Sequence, residues 1–182
     1  MTSPWPGIFC KCQMKPDFKI GIGYDVHQLM VGRPLVLGGI IIPHHRGLMG
    51  HSDADVLLHA IADSLLGAAA LGDIGIHFPN TNPEYKNIAS TKLLAEVFKM
   101  IVKEGFLVGN VDAVIIAEQP KLSPHIPAMK GKIARILLID EKSVSIKATT
   151  NERLGFAGRE EGIAAIATSL IYADHGTVVG TD

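Results

Sequence analysis

Past residue 19 the chain alternates between two apolar rhythms. Over residues 144–148, Val144, Ile146 and Ala148 alternate with Ser145 and Lys147, the period of a strand with one buried face. Short apolar runs at residues 20–27, 34–42 and 108–117 predict further strands. Between these runs the rhythm lengthens. Leu93, Leu94, Val97, Phe98, Ile101 and Val102 recur at helical spacing over residues 90–104, and Gly105 stops that helix behind Lys103 and Glu104. Residues 53–71, 124–138 and 161–172 are also predicted as helices. The first has Ser52 or Asp53 as N-cap and Asp55 in its first turn, where acid complements the helix dipole. Strands interleaved with helices predict an α/β or α+β sandwich with helices on a sheet. No repeat and no Gly/Ser/Pro linker interrupts residues 20–173, so they read as one domain between an irregular leader, 1–19, and a loose tail, 174–182.

A chain of 182 residues is long enough to bury a core without covalent staples. At 47% hydrophobic and 19% charged it reads as folded rather than disordered. No apolar run reaches the roughly 20 residues of a spanning helix, and the N-terminus lacks the charged-then-apolar order of a signal peptide. A formal net charge of -1 exerts no long-range pull on nucleic acid, so an anionic ligand must be gripped locally. Cys10 and Cys12 are too close together to build a disulfide framework and read as free thiols. The expectation is a cytoplasmic protein with neither a membrane nor a nucleic-acid partner.

GIGYDVHQL, residues 21–29, places an acid and an imidazole on one side of an otherwise apolar strand. Asp25 and His27 project together, while Tyr24, Val26 and Gln28 take the other face. A strand end meeting solvent would give the same pattern, and two ligands do not make a metal site. The third comes from HSDADVLLHAIADSLLGAAALGDIG, where Asp55, His59 and Asp63 recur every four residues along a helix that is otherwise largely apolar. Asp25, His27 and His59 make an N,N,O set, the kind that leaves zinc an open fourth position for a substrate oxygen or water. Asp63, one turn from His59, is expected to take the proton of its distal ring nitrogen and fix the tautomer.

A second constellation, KATTNERLGFAGREEG, follows the strand at 144–148. Consecutive hydroxyls at a strand end, with Lys147 and Arg159 supplying charge, form a plausible anion cradle, and Glu152 is placed to hold a divalent ion bridging phosphates. An N-cap-rich loop would look the same. LGDIGIHFPNTNP offers Asp73 beside Gly75 as a turn that can approach a diol, and AEQPKLSPH is a proline-punctuated loop suited to presenting backbone groups.

Taken together, GYDVH, HSDADVLLHAIADSLLGAAALGDIG, FPNTNP, NVDAVIIAEQPKLSPHI and IKATTNERLGFAGREEGIAA closely resemble the 2-C-methyl-D-erythritol 2,4-cyclodiphosphate synthase family, the cyclising enzymes of the non-mevalonate isoprenoid pathway. The resemblance runs in order from about Lys19 to Tyr172. It implies a mixed β-sheet with helices packed on one face, assembled as a homotrimer with inward-facing sheets and sites at subunit interfaces. By the same resemblance Asp25, His27 and His59 are zinc ligands, and His51 and Thr150 stabilise the phosphoryl centre. Ser52 is a phosphate contact, and Glu152 goes with a second divalent cation, Mg2+ or Mn2+. Asp73, Ile74 and Gly75 fall beside the metal, while Phe78, Pro79, Asn80, Thr81 and Asn82 line the erythritol pocket. Ala117, Pro120, Lys121, Ser123, Ala148, Thr149 and Asn151 fall on the cytidine and phosphate contacts, and Phe156 and Arg159 on further substrate-side positions. Tyr24, Arg159 and Glu161 resemble residues near an axial cavity where some relatives hold an isoprenoid diphosphate. Asn80 and Asn82 depart from the aspartates that relatives often carry.

The reaction so implied is an attack by the substrate's own 2-phosphate on its nearer diphosphate phosphorus, expelling CMP, with positioning and charge neutralisation as the catalytic means. Two other readings compete with it. One is a zinc phosphohydrolase using Asp63 or Asp73 as base. The other is a non-catalytic trimer that binds an isoprenoid.

Overall fold

The structure, a computed structural model, describes residues 17–79 and 88–174. Cys10, Cys12, Asn80, Thr81, Asn82 and residues 175–182 lie outside the described residues. A mixed five-stranded sheet carries the fold, in the order β4-β1-β7-β5-β6. Its strands are β1 (Phe18–Val31), β4 (Arg46–Leu48), β5 (Phe106–Ile116), β6 (Val144–Thr149) and β7 (Gly162–Ala173). All neighbours are antiparallel except β5 and β6. A separate hairpin joins β2 (Leu35–Leu37) and β3 (Ile40–Ile42). The helices are α1 (Val56–Ala69), α2 (Ile74–His77), α3 (Ser90–Lys103), α4 (Ile126–Leu137) and α5 (Gly155–Gly158).

Three departures from the sequence pattern have physical reasons. Residues 161–172, expected as a helix, form β7, the central strand. Ile163, Ala165, Ala167, Ser169 and Ile171 are buried on one face, but the other face is also apolar, so the period of two is masked and the alanines imitate a helix. The run 34–42 is not one strand, because Gly38 and Gly39 adopt φ of +60° and +73° and fold it back on itself. Asp55, rather than Ser52 or Asp53, caps α1: its carboxylate accepts from Leu58 N and, across the molecule, from Gly38 N and Gly39 N. It is fully buried, so it does not belong to a solvated stripe.

The contact that positions the site lies between α1 and β1. A Cβ at Gly21 would stand 2.0 Å from the Ser64 carbonyl oxygen and 2.4 Å from Ala68 N, and one at Gly23 would stand 2.0 Å from the Ala60 carbonyl oxygen. Only glycine lets helix backbone rest directly on strand backbone in this way. Leu57, Leu58, Ile61, Leu65 and Leu66 then fill the core, each fully buried side chain contributing roughly 1.5–3 kcal/mol.

The other face of β1 is different. Phe18, Ile20, Ile22, Tyr24 and Val26 all point outward and are exposed. Replacing Gly23 by Ala is expected to lower the unfolding free energy by roughly 1–3 kcal/mol in urea titrations. Gly67→Ala, on the exposed side of α1 with only an ordinary contact to the Ile22 carbonyl, is expected to raise it by up to about 1 kcal/mol.

Candidate metal centre

Because α1 rests on β1, residues four and two positions beyond the packed glycines meet side chain to side chain. Asp25 and His27 leave β1 on the helix side and His59 leaves α1 toward them. Asp25 Oδ2 stands 3.0 Å from His27 Nε2 and 2.9 Å from His59 Nδ1, and the two ring nitrogens are 3.3 Å apart. A tetrahedral zinc ion with ligand bonds near 2.0–2.1 Å has donor-to-donor edges of about 3.3 Å. The three atoms therefore already form one face of such a shell. Among the described residues this is the one cluster of His, Cys, Asp or Glu atoms gathered closely enough to hold a cation.

The outer ring nitrogens dictate which lone pairs face inward. His27 Nδ1 lies 2.7 Å from the Met49 carbonyl oxygen, which can only accept, so Nδ1 carries the proton and Nε2 is the ligand atom. Burial alone would raise the Asp25 carboxyl, but the hydrogen bonds and charges of His27 and His59 outweigh it and hold the group well below the usual carboxylate range. Burial likewise pulls His27 down, yet Asp25 and the Met49 carbonyl leave it above its ordinary value. In the metal-free fold a proton takes part of the place a cation would fill.

These atoms form the floor of a cleft of about 240 Å³ whose lining includes His51, Ser52, Ile74, Gly75 and Phe78. His51 Nε2 is buried without a hydrogen-bond partner among the described residues. Its loop is held from outside by Arg33, which donates to the Gly50 carbonyl at 2.6 Å and the Ser52 carbonyl at 2.5 Å. Asp73 caps α2 by accepting from Ile76 N at 3.0 Å, which sets Ile74 and Gly75 at the cleft edge. Pro79 is exposed and absent from the lining.

Asp63 does not reach the distal nitrogen of His59. Its carboxylate accepts from Ile74 N at 2.8 Å, and burial pushes its carboxyl up. His59 Nε2 instead meets Ser90 Oγ at 2.9 Å and Ser52 Oγ at 3.3 Å. A spacing of four puts Asp63 on the right side of the helix, but α2 reaches it first.

Ala117, Pro120, Lys121, Ser123, Ala148, Thr149 and Thr150 line a second cleft of about 340 Å³ that shares no residue with the first. From that lining, Thr150 Oγ1 donates to Glu152 Oε1 at 2.8 Å. Glu152 and Arg153 have φ of +50° and +63°. This strained turn is pinned by Glu118 Oε1, which accepts from Asn151 N at 2.8 Å and Arg153 N at 3.1 Å. Lys147 is turned away from the turn and paired with Asp112. Phe156, on α5, and Arg159, just past it, line neither cleft, and Arg159 makes a two-point pair with Glu161. Arg33, Met49, Ser90 and Glu118 are support residues that the sequence reading missed. Only Ser90, a polar start to an apolar-periodic helix, leaves a trace in the pattern.

A partly buried N,N,O triad at the base of an open cleft on a mixed α/β sandwich defines a protein of the metal-dependent kind. Comparison narrows this class: the chain belongs to the YgbB family, whose model matches residues 18–172. It is 60% identical over 153 residues to the 2-C-methyl-D-erythritol 2,4-cyclodiphosphate synthase of Chlorobium phaeobacteroides, covering 84% of this chain and 96% of that protein. To the synthase of the same name from Desulforamulus reducens it is 62% identical over 153 residues, covering 84% and 98%. Among solved structures it resembles the CDP complex of Plasmodium falciparum IspF, with a TM-score of 0.76, 35% identity and coverage of 87% of this chain and 97% of that one. The bifunctional IspDF of Campylobacter jejuni gives a TM-score of 0.83 at 42% identity, with 86% of this chain matched to 42% of that longer one. Among the described residues no helix is long and apolar enough to cross a membrane.

The raised His27 value gives the metal-free protein a signed pH dependence. Its protonated form supports the fold fully below the ordinary imidazole value of 6.5, and that support is lost as pH rises through the raised value. Asp25 acts in the opposite sense: its support is present above 3.8 and is lost as pH falls through its depressed value. A divalent cation must displace the His27 proton. Chelator-competition titrations are therefore expected to show affinity weakening by about tenfold per unit as pH falls below the His27 value.

Proposed function

We propose that this chain cyclises 4-diphosphocytidyl-2-C-methyl-D-erythritol 2-phosphate to 2-C-methyl-D-erythritol 2,4-cyclodiphosphate with release of CMP, as a zinc-dependent homotrimer in the cytoplasm. The observation that carries it is the convergence of Asp25, His27 and His59 on one point at the floor of an open cleft, in a chain so similar to synthases of that name. An oxygen of the 2-phosphate forms a bond to the diphosphate phosphorus nearer the erythritol. The bond from that phosphorus to the bridging oxygen breaks, and the electron pair leaves with CMP. No enzyme nucleophile is required, so the protein's work is to bring two anions together in line.

Asp25, His27 and His59 would hold zinc, which when bound supplies Lewis-acid charge beside a phosphate oxygen. His51, whose buried Nε2 has no hydrogen-bond partner among the described residues, and Ser52 line the same cleft and would meet phosphate oxygens there. Ile74, Gly75 and Phe78 line that cleft and would face the erythritol, with Asp73 and Pro79 beside them; the same role for Asn80, Thr81 and Asn82, outside the described residues, rests on the family resemblance. Glu152 would take the second cation, Mg2+ or Mn2+, releasing the Thr150 hydroxyl from its present bond to donate to charge developing on the phosphoryl group. Ala117, Pro120, Lys121, Ser123, Ala148, Thr149 and Asn151 would receive the cytidine and its phosphate.

The two clefts share no lining residue, which supports a substrate bridging two protomers. The outward apolar row Phe18, Ile20, Ile22, Tyr24 and Val26 supports burial of this sheet face against other copies. Tyr24, Arg159 and Glu161 would lie toward the resulting axial cavity, the place for an isoprenoid diphosphate, and Phe156 with Arg159 on the substrate side. The hydrolase reading has less support, since Asp63 and Asp73 are both engaged by backbone N–H groups.

Incubation of purified, zinc-loaded protein with the substrate in 18O-labelled water is expected to release CMP with no label in the cyclic product; label in the product would mean hydrolysis. Thr150→Ala is expected to slow turnover by about 10²-fold or more, and His59→Ala to abolish it together with zinc binding. Ile22→Glu is expected to shift the sedimenting species from trimer to monomer and to abolish turnover, because the clefts would no longer meet.

A further inference from the structure

The loop carrying Asp53 and the start of α3 are tied together directly behind His59. Ser90 is fully buried, and its hydroxyl donates to Asp53 Oδ1. Its own N–H donates to Asp53 Oδ2 at 3.1 Å, and Asp53 N donates to the Ile88 carbonyl oxygen at 3.2 Å. Ser90 Oγ also lies 2.9 Å from His59 Nε2. A carboxylate can only accept, so the serine proton is committed to Asp53 and the serine oxygen must accept from His59. That places a ring proton on Nε2, so Nδ1, the nitrogen against the Asp25 carboxylate, is the one whose lone pair a cation between Asp25 and His27 would take. The neighbouring Ser52 Oγ, 3.3 Å from the same nitrogen, is already an acceptor for Ala54 N at 3.0 Å.

We infer that Ser90 and Asp53 are positioning residues that hold His59 in its metal-ready tautomer, so that the start of α3 and the metal centre are set as one unit. The inference rests on the proposed metal site but concerns residues that touch neither cation nor substrate. Without the Ser90 oxygen, the His59 proton is drawn to Nδ1, where the Asp25 carboxylate is the stronger acceptor, and the ligand lone pair is lost. Asp53 acts through Ser90: with no acceptor for its hydroxyl, Ser90 is free to donate to Nε2 and favour the wrong tautomer.

The test uses the full chain with uniformly 15N-labelled histidine, stripped of metal and studied at a pH where imidazoles are neutral. Long-range 1H–15N correlation is expected to find His59 as the Nε2–H form in the unaltered protein. In Ser90→Ala and Asp53→Ala the signal is expected to move toward the Nδ1–H form, and the zinc dissociation constant from chelator competition to rise by about 10- to 100-fold. Ser90→Thr, which keeps a hydroxyl, is expected to restore both readouts. Circular dichroism and thermal melting identify any variant that fails to fold, and the tautomer of a folded variant is a readout that mere loss of a helix cap does not move. Ser90→Ala with an unchanged Nε2–H signal and unchanged zinc affinity would overturn the inference, as would an Nδ1–H ring in the unaltered chain. If the unaltered protein shows the expected tautomer but takes up no zinc, the metal reading fails while the tether stands.

Discussion

Everything in this molecule that bears on chemistry depends on how closely α1 lies on β1. Gly21 and Gly23 offer no side chain to the helix, so strand and helix backbones touch. That approach brings the next positions on the facing sides of both elements, Asp25 and His27 on one and His59 on the other, within 3.3 Å of each other. A spacer as small as one methyl group would open a gap larger than the tolerance of a metal–ligand bond. The same contact seals the apolar core, and so the geometry of the centre is underwritten by hydrophobic packing rather than by the weak attractions among its own members.

Acidic residues around the centre divide their labour by what reaches them first. Asp55 is fully buried, and its carboxyl is pushed up to about 6, burial outweighing the hydrogen bonds from Gly39, Gly38 and Leu58. It ties the β2–β3 hairpin to the helix start. Asp63 and Asp73 are used by the backbone of α2, and Asp53 by Ser90. Asp25 alone among these is turned to two imidazoles, and it is the one held strongly anionic. Sequence spacing cannot assign such roles, because the competitor for each carboxylate is a backbone N–H brought in from another element.

The two clefts meet different demands. The first takes its three ligand-type side chains from β1 and α1, packed backbone to backbone. The second depends on a turn with two non-glycine residues at positive φ, and Glu118 holds that turn from across the parallel β5–β6 pair. Ligand-type side chains on regular elements floor the one, and a strained turn pinned by a carboxylate stands beside the other. The apolar row on β1 leaves a contiguous exposed hydrophobic face on the sheet.

Residue order alone determined the elements whose periodicity is local. The helix at Ser90–Lys103 and the strands β5 and β6 stand within two residues of where the pattern puts them. It also picked out Asp25, His27 and His59 as a candidate ligand set, which the fold brings together, because a metal needs those residue types and the motifs carrying them are long. Tertiary structure decided the rest. It made 162–173 a central strand, since apolar neighbours on both faces erase the alternation that marks a half-buried one. It turned 34–42 into a hairpin, gave the α1 cap to Asp55, and put Ser90 rather than Asp63 behind His59. Each of these is a contest between partners distant in the chain, and the winner is set by which groups packing brings within hydrogen-bond reach.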